Sequence, residues 1–183
     1  MSAALFLSGC AGALFKVKPA IELPPLAGNV KSGSAGGVLI RVAPLLSDEE
    51  SQDLFEANLP LAGVLPLRVE LDYESGVPLE LKRARFRMRD GASREWKLLS
   101  PKDAISRVLK ANEIFAYNPS SRKQFEKEFG SYGLDLKTPL TPSERRRQGF
   151  LFFQTPDKQA LASPHGLVLI IERLPQAVEI PLD

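Results

Sequence analysis

The chain has 183 residues, of which 44% are hydrophobic and 25% are charged, and its formal net charge is +2. This length and apolar content suit one folded domain, and the near-balanced charge predicts no strong attraction to nucleic acid. Cys10 is the only cysteine and His165 the only histidine. Their scarcity argues against a disulfide, a Cys- or His-based metal site and a Ser-His-Asp triad. No cofactor and no metal ion are expected.

The most specific motif lies in the first ten residues. The apolar residues 3–7 lead into Leu7-Ser8-Gly9-Cys10, which resembles the lipobox of a bacterial lipoprotein signal peptide. The resemblance implies that diacylglycerol is attached to the Cys10 thiol and that residues 1–9 are removed as the signal peptide. No Lys or Arg precedes Cys10, so a signal peptide truncated at its start is expected. The alternative is a free cysteine that packs as a small hydrophobe.

The same resemblance implies a location in the cell envelope. No apolar stretch approaches the roughly 18–20 residues that span a bilayer as a helix, so a lipid would be the anchor. Ala11 is not the aspartate that retains enteric lipoproteins at the inner membrane, which favours the outer membrane, facing the periplasm. Residues 10–36 are rich in Pro, Gly and Ser and are predicted to be the lipidated cysteine and a flexible tether. The alternative is an ordered arm along the domain.

Residues 37–183 are predicted to form the domain. Val38 to Val42 has the β-branched, apolar composition of a strand. Ser47 and Glu50 have the spacing of a capping box, which predicts a short helix as far as about Ala57. Apolar and polar side chains alternate over residues 67–73, which predicts a strand with one apolar and one solvent-facing side.

The next segment is predicted to contain a hairpin. The apolar positions change from odd to even between Leu81 and Ala84, which predicts a bulge or bend near residues 82–83. Asp90-Gly91 is typical of a hairpin turn, after which residues 95–99 pair back.

A helical insert is predicted at about residues 100–132. Ser100 followed by Pro101 favours a helix start. A second helix is predicted from about Ser121 to Phe129, with Gly130 ending it.

The remaining strands are predicted at residues 149–153, buried on both faces or packed under the helices, at 167–171, and at 177–181 as an edge strand. Six to eight short strands without βαβ alternation indicate a mainly β fold. Their spacing resembles that of Ig-like domains in exported bacterial proteins, without the cysteine pair of true immunoglobulin domains. We therefore expect an Ig-like antiparallel β-sandwich with a short helical insert.

The candidate binding surface is a row of arginines that alternates with apolar side chains along one predicted strand: Arg83, Arg85, Arg87 and Arg89. These side chains should share one face and could bind the phosphates of an anionic lipid or a cell-wall polymer. The alternative is a solvated face that pairs across strands with Glu70 and Asp72. Phe86 faces the other way, so the aromatic stacking that nucleic-acid binding needs is not expected.

Other clusters are given structural interpretations. The acids of residues 48–53 suit a helix N-terminus rather than a calcium loop. The arginines of residues 145–147 are predicted to be a solvated loop, with docking of an acidic partner or lipid head groups as the alternative. His165 is predicted to be a turn residue. Aromatic side chains near the insert are predicted to pin the helices to the sheet, with a ligand groove as the alternative: Trp96, Phe115, Tyr117, Phe125, Phe129 and Tyr132.

Together, these features predict a lipid-anchored binding or scaffolding protein of the cell envelope that is not an enzyme. Its partners would be the membrane, through the N-terminal lipid on Cys10, and an envelope protein or cell-wall polymer. One alternative is a soluble periplasmic small-ligand binder. The other is an envelope hydrolase, which needs two carboxylates about 5–10 Å apart.

Overall fold

The computed structural model describes residues 23–183, except residues 24, 27, 75 and 113–118. Cys10, residues 1–9, the tether as far as residue 22, and the aromatic residues Phe115 and Tyr117 lie outside the described part. The strands of the described part are β1 Lys31–Ala35, β2 Val38–Pro44, β3 Val64–Tyr73, β4 Arg85–Arg89, β5 Glu95–Leu99, β6 Arg146–Gln154, β7 Val168–Glu172 and β8 Val178–Pro181. Its helices are α1 Asp48–Phe55, α2 Pro101–Ala111 and α3 Pro119–Ser131. Among these described helices, none has the length and apolar character needed to cross a membrane.

All eight of these strands join one antiparallel sheet in the order β1-β2-β3-β6-β5-β4-β7-β8. The two edges of the sheet meet: a Cβ added to Gly33 in β1 would lie 2.8 Å from Ile180 Cγ1 in β8. The side chains of Asn29 and Lys31 also donate hydrogen bonds to the carbonyl oxygens of Leu182 and Asp183. The sheet is therefore nearly closed and barrel-like.

The predicted mainly β class is confirmed, whereas the Ig-like sandwich is not. A sandwich needs two sheets packed face to face. Here β5 continues the sheet from β6 to β4, so one sheet curves until β1 and β8 face each other. The interior that a sandwich would place between two sheets lies inside this single sheet.

The sheet separates two apolar cores. Side chains that point inward fill the closed sheet, among them Leu67, Val69, Leu71 and Leu151. The second core lies between the outer face and the helices, and its largest members are aromatic: Phe55, Phe125, Phe129, Tyr132, Phe150 and Phe152. Because side chains alternate along β6, this strand supplies both cores, and its predicted burial is confirmed.

Several local predictions are also confirmed. Ser47 Oγ accepts a hydrogen bond from Glu50 N at 3.2 Å, and Glu50 Oε2 accepts one from Ser47 N at 3.2 Å, which completes the capping box of α1. Ser100 caps α2 with Pro101 in the first turn. A turn at residues 82–83 precedes β4, where Ala84 N donates to Leu81 O at 2.9 Å. Asp90 and Gly91 lie in the hairpin turn between β4 and β5.

Three details differ from the predictions. The domain begins before residue 37, because Lys31–Ala35 forms β1 and a turn with positive φ at Gly36 and Gly37 connects it to β2. Gly33 in β1 leaves the space that β8 side chains occupy, so its small size serves packing rather than flexibility. α3 continues through Gly130 to Ser131. The polar face of β3 is not fully solvated, because Arg68 and Asp72 are buried.

Candidate functional site

The predicted arginine row lies on the outer face of the sheet, with Arg85, Arg87 and Arg89 on β4 and Arg83 in the preceding turn. Arg87 Nε lies 2.6 Å from Glu95 Oε1, and Arg87 Nη1 lies 3.6 Å from Glu172 Oε1. The hydrogen bond and charge of Arg87 lower the pKa of Glu95. Arg89 Nη2 lies 2.9 Å from Glu179 Oε2.

The acids that pair with this row are not the predicted ones. Strand β4 lies between β5 and β7, so its neighbours supply Glu95, Glu172 and, one strand further, Glu179. Glu70 and Asp72 are on β3, which is not next to β4, so the prediction that they pair with the row was wrong. Within the described residues, Arg83 and Arg85 have no ion-pair partner. They are the two members of the row still available to an anion.

The arginines at residues 145–147 have separate roles. Arg147 is only 7% exposed, and its guanidinium donates to the carbonyl oxygens of Asp135, Thr138 and Pro139. This side chain therefore holds the loop before β6 in place. The prediction that it is solvated was wrong. Arg145 and Arg146 are exposed and flank the carboxylate of Asp72. Only these two could contribute to the alternative docking surface.

A cleft of about 520 Å³ opens at one end of the sheet, between the β4–β5 turn and residues 155–165. Buried Asp90 lines this cleft and accepts hydrogen bonds from the backbone of Ala92 and Arg94 and from the side chains of Arg94 and Trp96. Burial by itself would raise the pKa of Asp90, but the hydrogen bonds from Arg94 and Trp96 outweigh it, so the pKa is lowered. His165 is exposed at the rim, and its carbonyl oxygen accepts from Gly91 N. No acid–base pair is formed by Asp90 and His165 within the described contacts.

The Asp90→Asn variant is expected to lose about 2 kcal/mol of unfolding free energy at pH 7. The carboxylate accepts hydrogen bonds at two oxygens, whereas the asparagine amide has only one oxygen that can accept. A carboxyl group whose pKa is lowered by folding stabilises the protein above its unfolded pKa of about 4, and this contribution is lost as pH falls through the folded pKa. The difference between the parent and Asp90→Asn should therefore shrink below about pH 4. Urea unfolding from pH 3 to 7 measures this, with Glu80→Gln, at an exposed carboxylate, as control. A pH-independent difference would contradict the role assigned to the Asp90 charge.

A second groove, of about 620 Å³, lies on the helix side of the molecule. The end of β2 and the connection to α1 form one wall, and Pro25, Leu26 and Asn29 form part of the other. The lining is mostly apolar and includes Leu26, Leu45, Leu46 and Leu54. Arg68 on β3 also lines this groove. The sequence placed Arg68 on a polar strand face, but the cover that α1 and the β2–α1 connection provide could not be foreseen from that alternation.

The other clusters identified in the sequence lie in the hydrophobic cores or at a helix N-terminus. Phe125, Phe129 and Tyr132 are buried between α3 and the sheet, which confirms that they pin this helix to the sheet. Trp96 is buried inside the sheet and lines the cleft, so the prediction that it pins the helices was wrong. The acids at the start of α1 lie in its first turn, as predicted. In the part of the chain that the structure describes, no three His, Cys, Asp or Glu side chains are grouped to hold a metal ion.

No protein family model, no curated protein and no solved structure matches the chain.

Proposed function

We propose that this chain is a lipid-anchored binding protein of the cell envelope that acts without catalysis. The observation that carries the proposal is the motif Leu7-Ser8-Gly9-Cys10, in which Cys10 would receive the lipid. Residues 11–30 separate that cysteine from β1, so the domain could stand clear of the outer membrane and face the periplasm. An envelope protein or a cell-wall polymer would be the partner.

The described surface supports binding in two places. Arg83 and Arg85 are exposed and have no ion-pair partner in the described residues, which suits an anionic polymer. The helix-side groove is concave and mostly apolar, with one cationic and two acidic side chains in its lining, and a mostly apolar concave site with a few polar groups is typical of small-ligand binding. The groove favours the second candidate function, a periplasmic small-ligand binder, which is compatible with a lipid anchor.

The hydrolase alternative gains no support from Asp90, which lines the cleft, or from Asp135, in the loop before β6. A general acid needs a raised pKa so that it carries its proton at neutral pH. Hydrogen bonds from Thr138 and Lys137 lower the pKa of Asp135, and the pKa of Asp90 is lowered as well. Both groups are therefore held as anions and suit structural roles.

The anchor is tested by the Cys10→Ala variant in the native host. We expect the parent to incorporate a labelled fatty acid and to sediment with membranes. The variant should incorporate none and be released, because the thiol is the attachment atom and two acyl chains supply stable anchoring. Ser8→Ala is the matched control, since it keeps a small residue beside the cysteine and should still be labelled. An unlabelled parent, or a Cys10→Ala variant that fractionates like the parent, would contradict the proposal.

A further inference from the structure

The helix-side groove contains a buried positive charge without a carboxylate partner. Arg68 is 6% exposed, and no carboxylate oxygen of the described residues lies within 4.0 Å of its guanidinium nitrogens. Its Nη2 donates to the side-chain oxygen of Gln148 at 3.1 Å, and its Nε is buried without a hydrogen-bond partner. A buried charge normally requires a partner of opposite charge, because removing an ion from water is unfavourable.

The nearest acid on the same strand face does not fill this role. Glu70 Oε1 lies 2.5 Å from Arg41 Nη2, on the neighbouring strand β2. Burial lowers the pKa of Arg68, and the charge of Glu70 acts in the opposite direction without forming an ion pair. A guanidinium stays protonated in proteins at neutral pH. The groove therefore contains a largely desolvated cation that forms no ion pair with a carboxylate of the described residues.

The other side chains of the groove indicate which kind of anionic molecule would fit beside Arg68. Leu45, Leu46 and Leu54 present apolar surface along the β2–α1 side, and Leu46 is 44% exposed. Two acids, Glu50 and Asp53, also line the groove. Glu50 Oε2 is engaged by the backbone N–H groups of Leu46 and Ser47. These acids would repel a group with two negative charges more strongly than a group with one.

We propose that the groove binds an amphipathic monocarboxylate, in which the carboxylate meets the Arg68 guanidinium and an aliphatic chain lies against Leu45, Leu46 and Leu54. An arginine fork matches a carboxylate, and a charge-assisted hydrogen bond is strongest where water is excluded. The volume of about 620 Å³ is within the range of small-molecule sites. This inference deepens the proposed binding function and rests on it.

Dodecanoate, below its micelle concentration, is the probe for calorimetric titration of the purified full chain. Dodecan-1-ol has the same chain without the charge and is the ligand control. We expect dodecanoate to bind at least tenfold more tightly than the alcohol, because only the carboxylate pairs with the guanidinium. Arg68→Met, which keeps much of the stem, should weaken dodecanoate binding tenfold to a hundredfold and leave the affinity for dodecan-1-ol unchanged. Arg173→Met removes an exposed arginine outside the groove and should change neither.

Thermal unfolding shows whether a variant binds weakly because its site is lost or because it does not fold. Dodecanoate should raise the Tm of the parent and not that of Arg68→Met. If Arg68→Met does not fold, Leu46→Asp replaces it, since Leu46 is half exposed at the groove and its loss should reduce binding about tenfold. Leu61→Asp is the matched control, at a leucine of similar exposure, 49%, that does not line the groove.

Equal affinity for dodecanoate and dodecan-1-ol, no binding of dodecanoate, or undiminished binding by folded Arg68→Met and Leu46→Asp would overturn the inference. The result is independent of acyl labelling at Cys10. Failure of the labelling test would remove the anchor and leave the groove, whereas failure here would remove this ligand class and leave the anchor.

Discussion

Replacing Phe55 by alanine is expected to lower the free energy of unfolding by about 3–5 kcal/mol. Phe55 is fully buried at the end of α1. Its ring centroid lies 5.2 Å from that of Phe129, and 5.4 Å from those of Tyr132 and Phe150. The substitution would leave a cavity where α1, α3 and β6 meet, and it would remove aromatic contacts worth more than their buried area alone.

Denaturant unfolding followed by fluorescence and circular dichroism measures the effect of Phe55→Ala. A chain of this size loses about 2–4 °C in Tm per kcal/mol, so a fall of about 10 °C should accompany it. Phe55→Leu keeps most of the volume and is the matched control, with an expected loss below about 2 kcal/mol. A loss under about 1 kcal/mol for Phe55→Ala would show that the helices do not depend on this aromatic core.

The Gly149→Ala variant is expected to lose about 3 kcal/mol for a different reason, overpacking against backbone. A Cβ at Gly149 would lie 2.6 Å from Leu134 Cα and 2.7 Å from Leu134 N. Neither atom is the end of a flexible side chain, so β6 and the segment after α3 must separate. Their separation would strain the hydrogen bond from Leu134 N to Phe150 O, now 3.0 Å, and the one from Phe150 N to Tyr132 O.

Two glycines provide controls for Gly149→Ala in the same unfolding experiment. A Cβ added at Gly76 or Gly130 meets nothing within 4 Å. Gly76→Ala should be close to neutral, and Gly130→Ala should stabilise α3 by about 0.5–1 kcal/mol, since alanine is the better helix former. A Gly149→Ala variant as stable as Gly76→Ala would contradict the close approach of β6 to Leu134.

Most predictions that depended on a few neighbouring residues were confirmed, although the helix end predicted at Gly130 was not. The capping box of Ser47 and Glu50, the turn at Asp90-Gly91 and the bend before Ala84 each involve groups within four or so positions of one another. Their geometry is set by local hydrogen bonds and backbone preferences, which the sequence contains directly. The double burial of β6 was predictable because its apolar run has no polar face to offer to water.

Predictions that depended on which strands are neighbours were less successful. The arginine row pairs with Glu95, Glu172 and Glu179 because β4 lies between β5 and β7. The polar face of β3 meets β6, whose Gln148 is 80 positions from Arg68. Period-two alternation says which residues share a face, but it does not say what lies opposite that face. The pairing acids were therefore misassigned.

The amino-acid sequence by itself determined the mainly β class, the capped helices, and the lipobox-like motif on which the proposed anchor depends, since each is written in local composition and spacing. Only the tertiary structure decided that one sheet closes on itself, through contacts between β1 and β8 from opposite ends of the chain. It also decided that the buried guanidinium of Arg68 lies in a groove without a carboxylate partner among the described residues. Both outcomes depend on residues that are far apart in sequence. The β1–β8 contacts and the burial of Arg68 arise only when the strands pair in this order.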